Sequence, residues 1–176
     1  TRLLHEISPL PEAKEWSENI TEGDVEAWVD KHRIPIIAHP AAYRERWRRK
    51  KDGTLVGPYP PAPQDEWRSL GAHIVLSEGP CQLDPGCWTT GYVPRESFET
   101  AGIPSRMLYR EGSDLLADQI EDDQSIIISL KEKGLVILAG CAHAGIVNTI
   151  NYARKLTGVD RVYAVMGGLH LATSTD

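Results

Sequence analysis

The chain has 176 residues, 19 basic against 25 acidic side chains, a formal net charge of −6 and 41% hydrophobic residues. That length fits one domain of roughly 150 residues with a core that needs no staples, and the apolar fraction excludes intrinsic disorder. The acidic balance argues against nucleic-acid binding, and no apolar run approaches the ~18 residues of a membrane span.

The three cysteines, Cys81, Cys87 and Cys141, form no Cys-x-x-Cys pair. This argues against a disulfide scaffold and for a reducing, cytoplasmic setting, with Cys81 and Cys87 the one pair close enough in sequence to bridge. The chain starts at Thr1 without a signal pattern, so its natural beginning is expected upstream.

In chain order, Leu3, Leu4 and Ile7 predict a helix over 2–10, stopped by Pro9 and Pro11. Thr21 with Asp24 predicts a second helix carrying Val25, Trp28 and Val29 on one face. The β-branched run Ile34–Ala38 predicts a strand ending at His39-Pro40. Next comes a basic stretch, Arg44, Arg46, Arg48, Arg49, Lys50 and Lys51 around Trp47, closed by the turn Asp52-Gly53. It reads as a solvated helix face or an anion-attracting rim. Residues 57–63 contain four prolines without amide hydrogens and read as an extended loop or lid. Short strands are expected over 73–76, 88–93 and 107–109.

The last third has the clearest pattern. Ser125–Leu130 and 135–139 are nearly continuous apolar runs joined by Lys131-Glu132-Lys133-Gly134, which predicts a hairpin buried on both faces. Ile146, Val147, Ile150, Ala153 and Leu156 follow at helical spacing up to Gly158, and a strand over 162–166 ends at Gly167-Gly168. Strands joined by such a crossover run parallel, so their carboxyl ends share one sheet edge, where ligand sites are built. His143 and His170 follow those two ends. On neighbouring strands about 4.8 Å apart, two imidazoles can converge on one ion.

Glycines at 140, 167 and 168 permit the sharp turns this requires. Imidazole suits zinc, iron, nickel or copper, whereas calcium and magnesium call for carboxylates. A single strand-end histidine is ordinarily a hydrogen-bonded structural residue, so the pairing carries the metal reading, and both readings stay open on physics alone. His39 beside Pro40 reads as a loop anchor, His5, His32 and His73 lack ligand spacing, and Cys141 reads as a small buried hydrophobe. Asp122 and Asp123 read as caps on the entry to the hairpin. No phosphate-cradling glycine loop and no nucleophile elbow occurs in the sequence.

The run Leu-Val-Ile-Leu-Ala-Gly-Cys-Ala-His-Ala-Gly-Ile-Val-Asn-Thr-Ile over 135–150, with Gly167-Gly168-Leu169-His170-Leu171, resembles the metallo-β-lactamase-fold hydrolases. More narrowly, it is similar to the branch labelled dihydropterin ribofuranosyl-aminobenzene phosphate synthase. Residues 34–41, ending in Ala-His-Pro-Ala, and Thr90-Gly91-Tyr92-Val93-Pro94-Arg95 extend the resemblance over most of 34–171.

The resemblance implies an α/β fold, the αββα four-layer sandwich, as a single domain over 1–176 that is incomplete in this segment. It implies attack of a metal-activated water on an ester, phosphoester or related bond, with zinc or another divalent transition metal such as manganese or iron. His143 and His170 would be metal ligands, and Arg95 would bind substrate by a bidentate hold on phosphate or carboxylate. The partner would be a small molecule, phosphorylated or pterin-like, with no nucleic acid and no membrane.

The family's His-x-His-x-Asp-His and late His-Cys-Thr-Gly motifs are missing from the sequence, while Thr1-Arg2-Leu3-Leu4 resembles the helix after the first motif. The chain therefore reads as an internal segment of a longer enzyme, with further ligands outside it. Tyr92 stands where the family has Glu. The competing reading is a non-catalytic module that binds a pterin-like or phosphorylated ligand.

Overall fold

The computed structural model describes residues 34–99 and 106–170. The two helices predicted before Ile34, with His5 and His32, lie outside the described residues. These residues fall into two compact units.

In the first unit, β1 (Ile34–Ala38) and β4 (Ala72–Leu76) pair in parallel, Ile34 opposite Ala72. Both are as expected from their β-branched runs. The crossover contains a helix the prolines had hidden, α1 (Gln64–Ser69). Pro63 occupies its N-cap, with Asp65 and Glu66 in the first turn and Arg68 in the last, as the helix dipole favours.

The second unit holds two sheets. One has the order β3-β2-β7-β8, from β2 (Arg46–Arg49), β3 (Leu55–Tyr59), β7 (Met107–Glu111) and β8 (Asp114–Ala117). The other has the order β11-β10-β9-β6-β5, from β5 (Cys81–Asp84), β6 (Cys87–Thr89), β9 (Ser125–Leu130), β10 (Gly134–Ala139) and β11 (Val162–Gly167). The expected hairpin is present, with Leu130 opposite Gly134. The expected crossover is present as well: β10 and β11 run parallel, joined by α2 (Ile146–Thr157). Gly158 closes α2 in the left-handed conformation, its N–H donating to Arg154 O.

Ile127, Leu135, Ile137 and Ala153 are wholly buried, and Trp88, Ile150, Leu156, Val162 and Val165 pack against them. Burying each large aliphatic side chain contributes about 1.5–3 kcal/mol, so this layer between α2 and the sheet fixes the edge from which His143 and His170 project.

Several expectations need correction. Only β10 is buried on both faces; in β9 the side chains alternate, with Ile127 in the core and Ile126 37% exposed. The basic stretch is a strand, not a helix face, because Arg46, Trp47 and Arg48 pair with Tyr109, Leu108 and Met107 of β7. The proline-rich segment is regular as far as Tyr59, since β3 is an edge strand and an edge tolerates the donor that Pro58 lacks.

The strand expected over 88–93 stops at Thr89. Beyond it Tyr92 N–H donates to Glu78 O, and Gly91, at φ +59°, packs so closely on Gly79 O that no Cβ fits. Strands β5 and β8 were not expected. Cys81 and Cys87 are both free thiols, because the register sets Cys81 opposite Thr89 and Cys87 opposite Asp84. Among the described residues no helix is long and apolar enough to cross a membrane.

Candidate metal centre

His143 lies in the loop after β10 and His170 in the segment after β11. The parallel register, with Ala139 opposite Gly167, brings the two loops to one edge. The imidazole centroids are 4.5 Å apart and the rings are tilted by 48°. His143 is half-buried and His170 exposed.

The loops reach this geometry through unusual backbone. Ala142 has φ +53° and His170 has φ +42°, left-handed conformations that cost a side-chain-bearing residue about 1–3 kcal/mol and cluster at functional sites. Gly167, at φ +117°, lies against Ala139 O at the place a Cβ would occupy. Gly167→Ala is therefore expected to destabilise the fold by on the order of 3 kcal/mol, through strain and clash together. Urea unfolding at constant m-value checks this.

The histidine loop is tied to three other segments. Asp123 accepts hydrogen bonds from Cys141 N (3.1 Å) and His143 N (2.6 Å). Arg95 Nη1 donates to His143 O (3.1 Å) and Nη2 to Gln119 O (2.6 Å). Asn148, on the first turns of α2, accepts from Glu96 N (2.9 Å) and Ser97 N (2.6 Å) and donates to Ala144 O (2.7 Å). Glu99 accepts from Val147 N (2.7 Å) and Asn148 N (3.3 Å), capping α2 where Gly145 offers no side chain.

Asn148 is 2% exposed, so Asn148→Ala leaves two amides without acceptors and is expected to cost about 2–3 kcal/mol in chemical denaturation. Asp123, Glu99 and Asn148 were missed as loop-holding residues. Only Asn148 left a sequence signal, a polar residue within the apolar run that opens α2.

Arg95 is thus engaged with two backbone carbonyls, and its Nε is buried without a hydrogen-bond partner among the described residues. The acidic loop 118–123 is spent in the same way. Asp118 and Asp122 both accept from Arg46, and Glu121 pairs with Arg44 Nη1 at 2.6 Å. Burial works against the Arg46 charge, but Asp122 and Asp118 outweigh it and hold the guanidinium more firmly protonated than usual. Arg44 also stacks over Tyr109 at 4.3 Å. Arg48, Arg49, Lys50 and Lys51 are exposed.

His39 Nδ1 accepts from Ala41 N at 3.1 Å, an anchor for the 3-10 turn Pro40–Tyr43. His39, Arg44, Tyr92, Pro94, Glu121 and Tyr152 line a cavity of about 510 Å³. Burial pushes the Tyr152 phenol above its ordinary value. Neither His143 nor His170 lines this cavity; Pro94, which does, precedes Arg95, whose Nη1 donates to His143 O.

Two imidazoles on one edge suit a borderline divalent ion. Among the described residues no third His, Cys, Asp or Glu gathers with them, so the pair fits part of a tetrahedral set.

No protein-family model matches the chain. It is 36% identical over 142 residues to the 7,8-dihydropterin-6-methyl-4-(β-D-ribofuranosyl)-aminobenzene-5'-phosphate synthase of Methanocaldococcus jannaschii, covering 78% of this chain and 47% of that protein. An uncharacterized protein of the same organism is 32% identical over 106 residues, 60% of this chain and 37% of its own. The chain thus spans less than half the length of these relatives. A crystal structure of a metal-dependent hydrolase of the β-lactamase superfamily superposes with a TM-score of 0.62 at 19% identity, covering 82% of this chain and 52% of the other. The chain has the metallo-β-lactamase fold and is related to the archaeal pterin-phosphate synthase.

Proposed function

We propose that the chain forms part of a metal-dependent hydrolase in which His143 and His170 are ligands to a divalent transition metal, zinc first, with manganese or iron as alternatives. The observation that carries this reading is the 4.5 Å separation of the two imidazoles at adjacent parallel strand ends. Such an ion, when bound, lowers the pKa of a coordinated water toward about 7 and polarises the scissile oxygen.

The chain's own residues do the rest. Asp123 and Arg95 hold the histidine loop, while Tyr92, Tyr152 and His39 wall a cavity within the usual ligand-site range of roughly 300–1,000 Å³. The substrate is a small phosphorylated or pterin-like molecule, by analogy with the name of the archaeal relative. Arg95 would act on it indirectly rather than by a bidentate hold, because Nη1 and Nη2 donate to His143 O and Gln119 O and Nε is buried. A reducing, cytoplasmic setting belongs to the same reading and is supported by three free cysteines.

The test is metal analysis of the full-length protein together with hydrolysis of a panel of phosphoesters and lactones. Stoichiometric metal, with turnover lost on chelation and restored by zinc or manganese, supports the reading. Turnover that persists without metal rejects it, and pterin binding with neither metal nor turnover assigns a binding module instead.

A further inference from the structure

The backbone of His143 is gripped at both ends by charged side chains from different segments. Its N–H donates to Asp123 Oδ2 at 2.6 Å, and its carbonyl accepts from Arg95 Nη1 at 3.1 Å. The same carboxylate accepts from the Cys141 N–H, and the same guanidinium donates to Gln119 O, so the His143 backbone is fixed relative to loop 118–123 and to Arg95. Between Cys141 N and His143 N, the two amides that Asp123 holds, sits the strained step, Ala142 at φ +53°.

Charge-assisted hydrogen bonds are roughly twice as strong as neutral ones, and a left-handed alanine persists only where its surroundings over-determine it. Asp123 itself is placed by Asp123 N–H donating to Ile120 O, and Gly140 packs so closely on Asp123 Oδ1 and Gln124 O that a Cβ would meet them at 3.1 and 2.9 Å. The loop has no slack in which to reorient.

We propose that Asp123 and Arg95 are positioning residues that aim the His143 imidazole at His170 and thereby set the metal affinity of the pair. This rests on the metal-site reading above and adds to it residues that touch no metal. An Asp123 carboxylate offers acceptors to two N–H groups, whereas asparagine offers one acceptor and turns an amide donor toward the other. Arg95→Met removes both donors, and Arg95→Lys keeps the charge without the planar fork that reaches both carbonyls.

In the full-length protein, zinc affinity measured by chelator competition is expected to fall 10- to 100-fold in Asp123→Asn and in Arg95→Met, the range typical of groups that orient metal ligands, with Arg95→Lys in between. In the metal-free protein, the nuclear Overhauser contact between the His143 and His170 ring protons should weaken in the same order. Glu45→Gln, just before β2 and paired with Arg110, should change neither.

A purely structural role predicts lower unfolding midpoints but wild-type zinc affinity and an intact ring contact, and that result overturns the proposal. If Asp123→Asn does not fold, the Arg95→Lys and Arg95→Met pair decides. If the wild-type protein binds no zinc, the metal reading fails separately, and a ring contact that persists in the variants then overturns the positioning role as well.

Discussion

His170→Gly is expected to abolish metal binding in the full-length protein while leaving the fold as stable as before, or more stable by up to about 1 kcal/mol. The two effects separate because His170 is exposed and sits at φ +42°, where glycine relieves strain that any side chain incurs. Losing one imidazole of the pair removes a ligand that no other described residue is placed to replace. Metal stoichiometry should therefore fall below one tenth of wild type, and phosphoester turnover with it.

His143→Ala should match that metal loss at some cost in stability, since His143 is half-buried. His39→Ala provides the contrast. Its ring is 5% exposed and serves Ala41 N, so the change should cost about 1 kcal/mol, as for a lost cap, with metal content retained. Elemental analysis beside thermal unfolding distinguishes the three, and retention of metal in His170→Gly would falsify the assignment.

Arg46→Met is expected to be the most destabilising single change among the basic residues, by about 3 kcal/mol, the lower end of what breaking a buried ion pair costs. Arg46 Nε donates to Asp118 Oδ2 at 2.6 Å, its Nη1 donates to Asp122 Oδ2 at 3.1 Å, and its Nη2 donates to Asp122 Oδ1. The Asp118 side chain is completely buried, so removing the guanidinium leaves a carboxylate with, among the described residues, the Ile120 amide alone to stabilise it.

Adding Asp118→Asn to Arg46→Met should recover part of the loss, because a neutral amide is cheaper to bury than an uncompensated charge. Arg48→Met, at an exposed position of the same strand, should stay within about 0.5 kcal/mol of wild type. Urea denaturation of the single variants and the double variant checks the coupling. Additive losses would show that Arg46 and Asp118 do not act as a pair.

The contrast between these two sites shows what the sequence could reveal. The β9–β10–α2–β11 succession was legible because its signals are local: apolar runs, helical spacing, and glycines at the turns. From that unit the convergence of His143 and His170 followed by topology. The Arg46 network was not legible, because its acidic partners lie 72 and 76 residues away and a run of arginines looks the same whether solvated or paired.

Strands β5 and β8 were missed for a different reason. Both form local hairpins with β6 and β7, but Gln82 and Asp84 in one, and Asp114 in the other, give these edge strands little apolar alternation. Asp123 was read as a cap for the hairpin that follows it. Its carboxylate instead serves amides 18 and 20 residues later, across a contact that only the folded chain creates.

Helix α2 opens on a glycine, and the carboxylate that satisfies its first amides belongs to Glu99, 48 residues earlier. Its 12 residues are at the margin of what propensity alone sustains in water, roughly 12–15 residues. The helix therefore has no self-sufficient nucleus. A peptide covering only its own residues should be mostly unstructured, and during folding the helix should consolidate late, after the Glu96–Glu99 turn has closed its long loop onto the sheet.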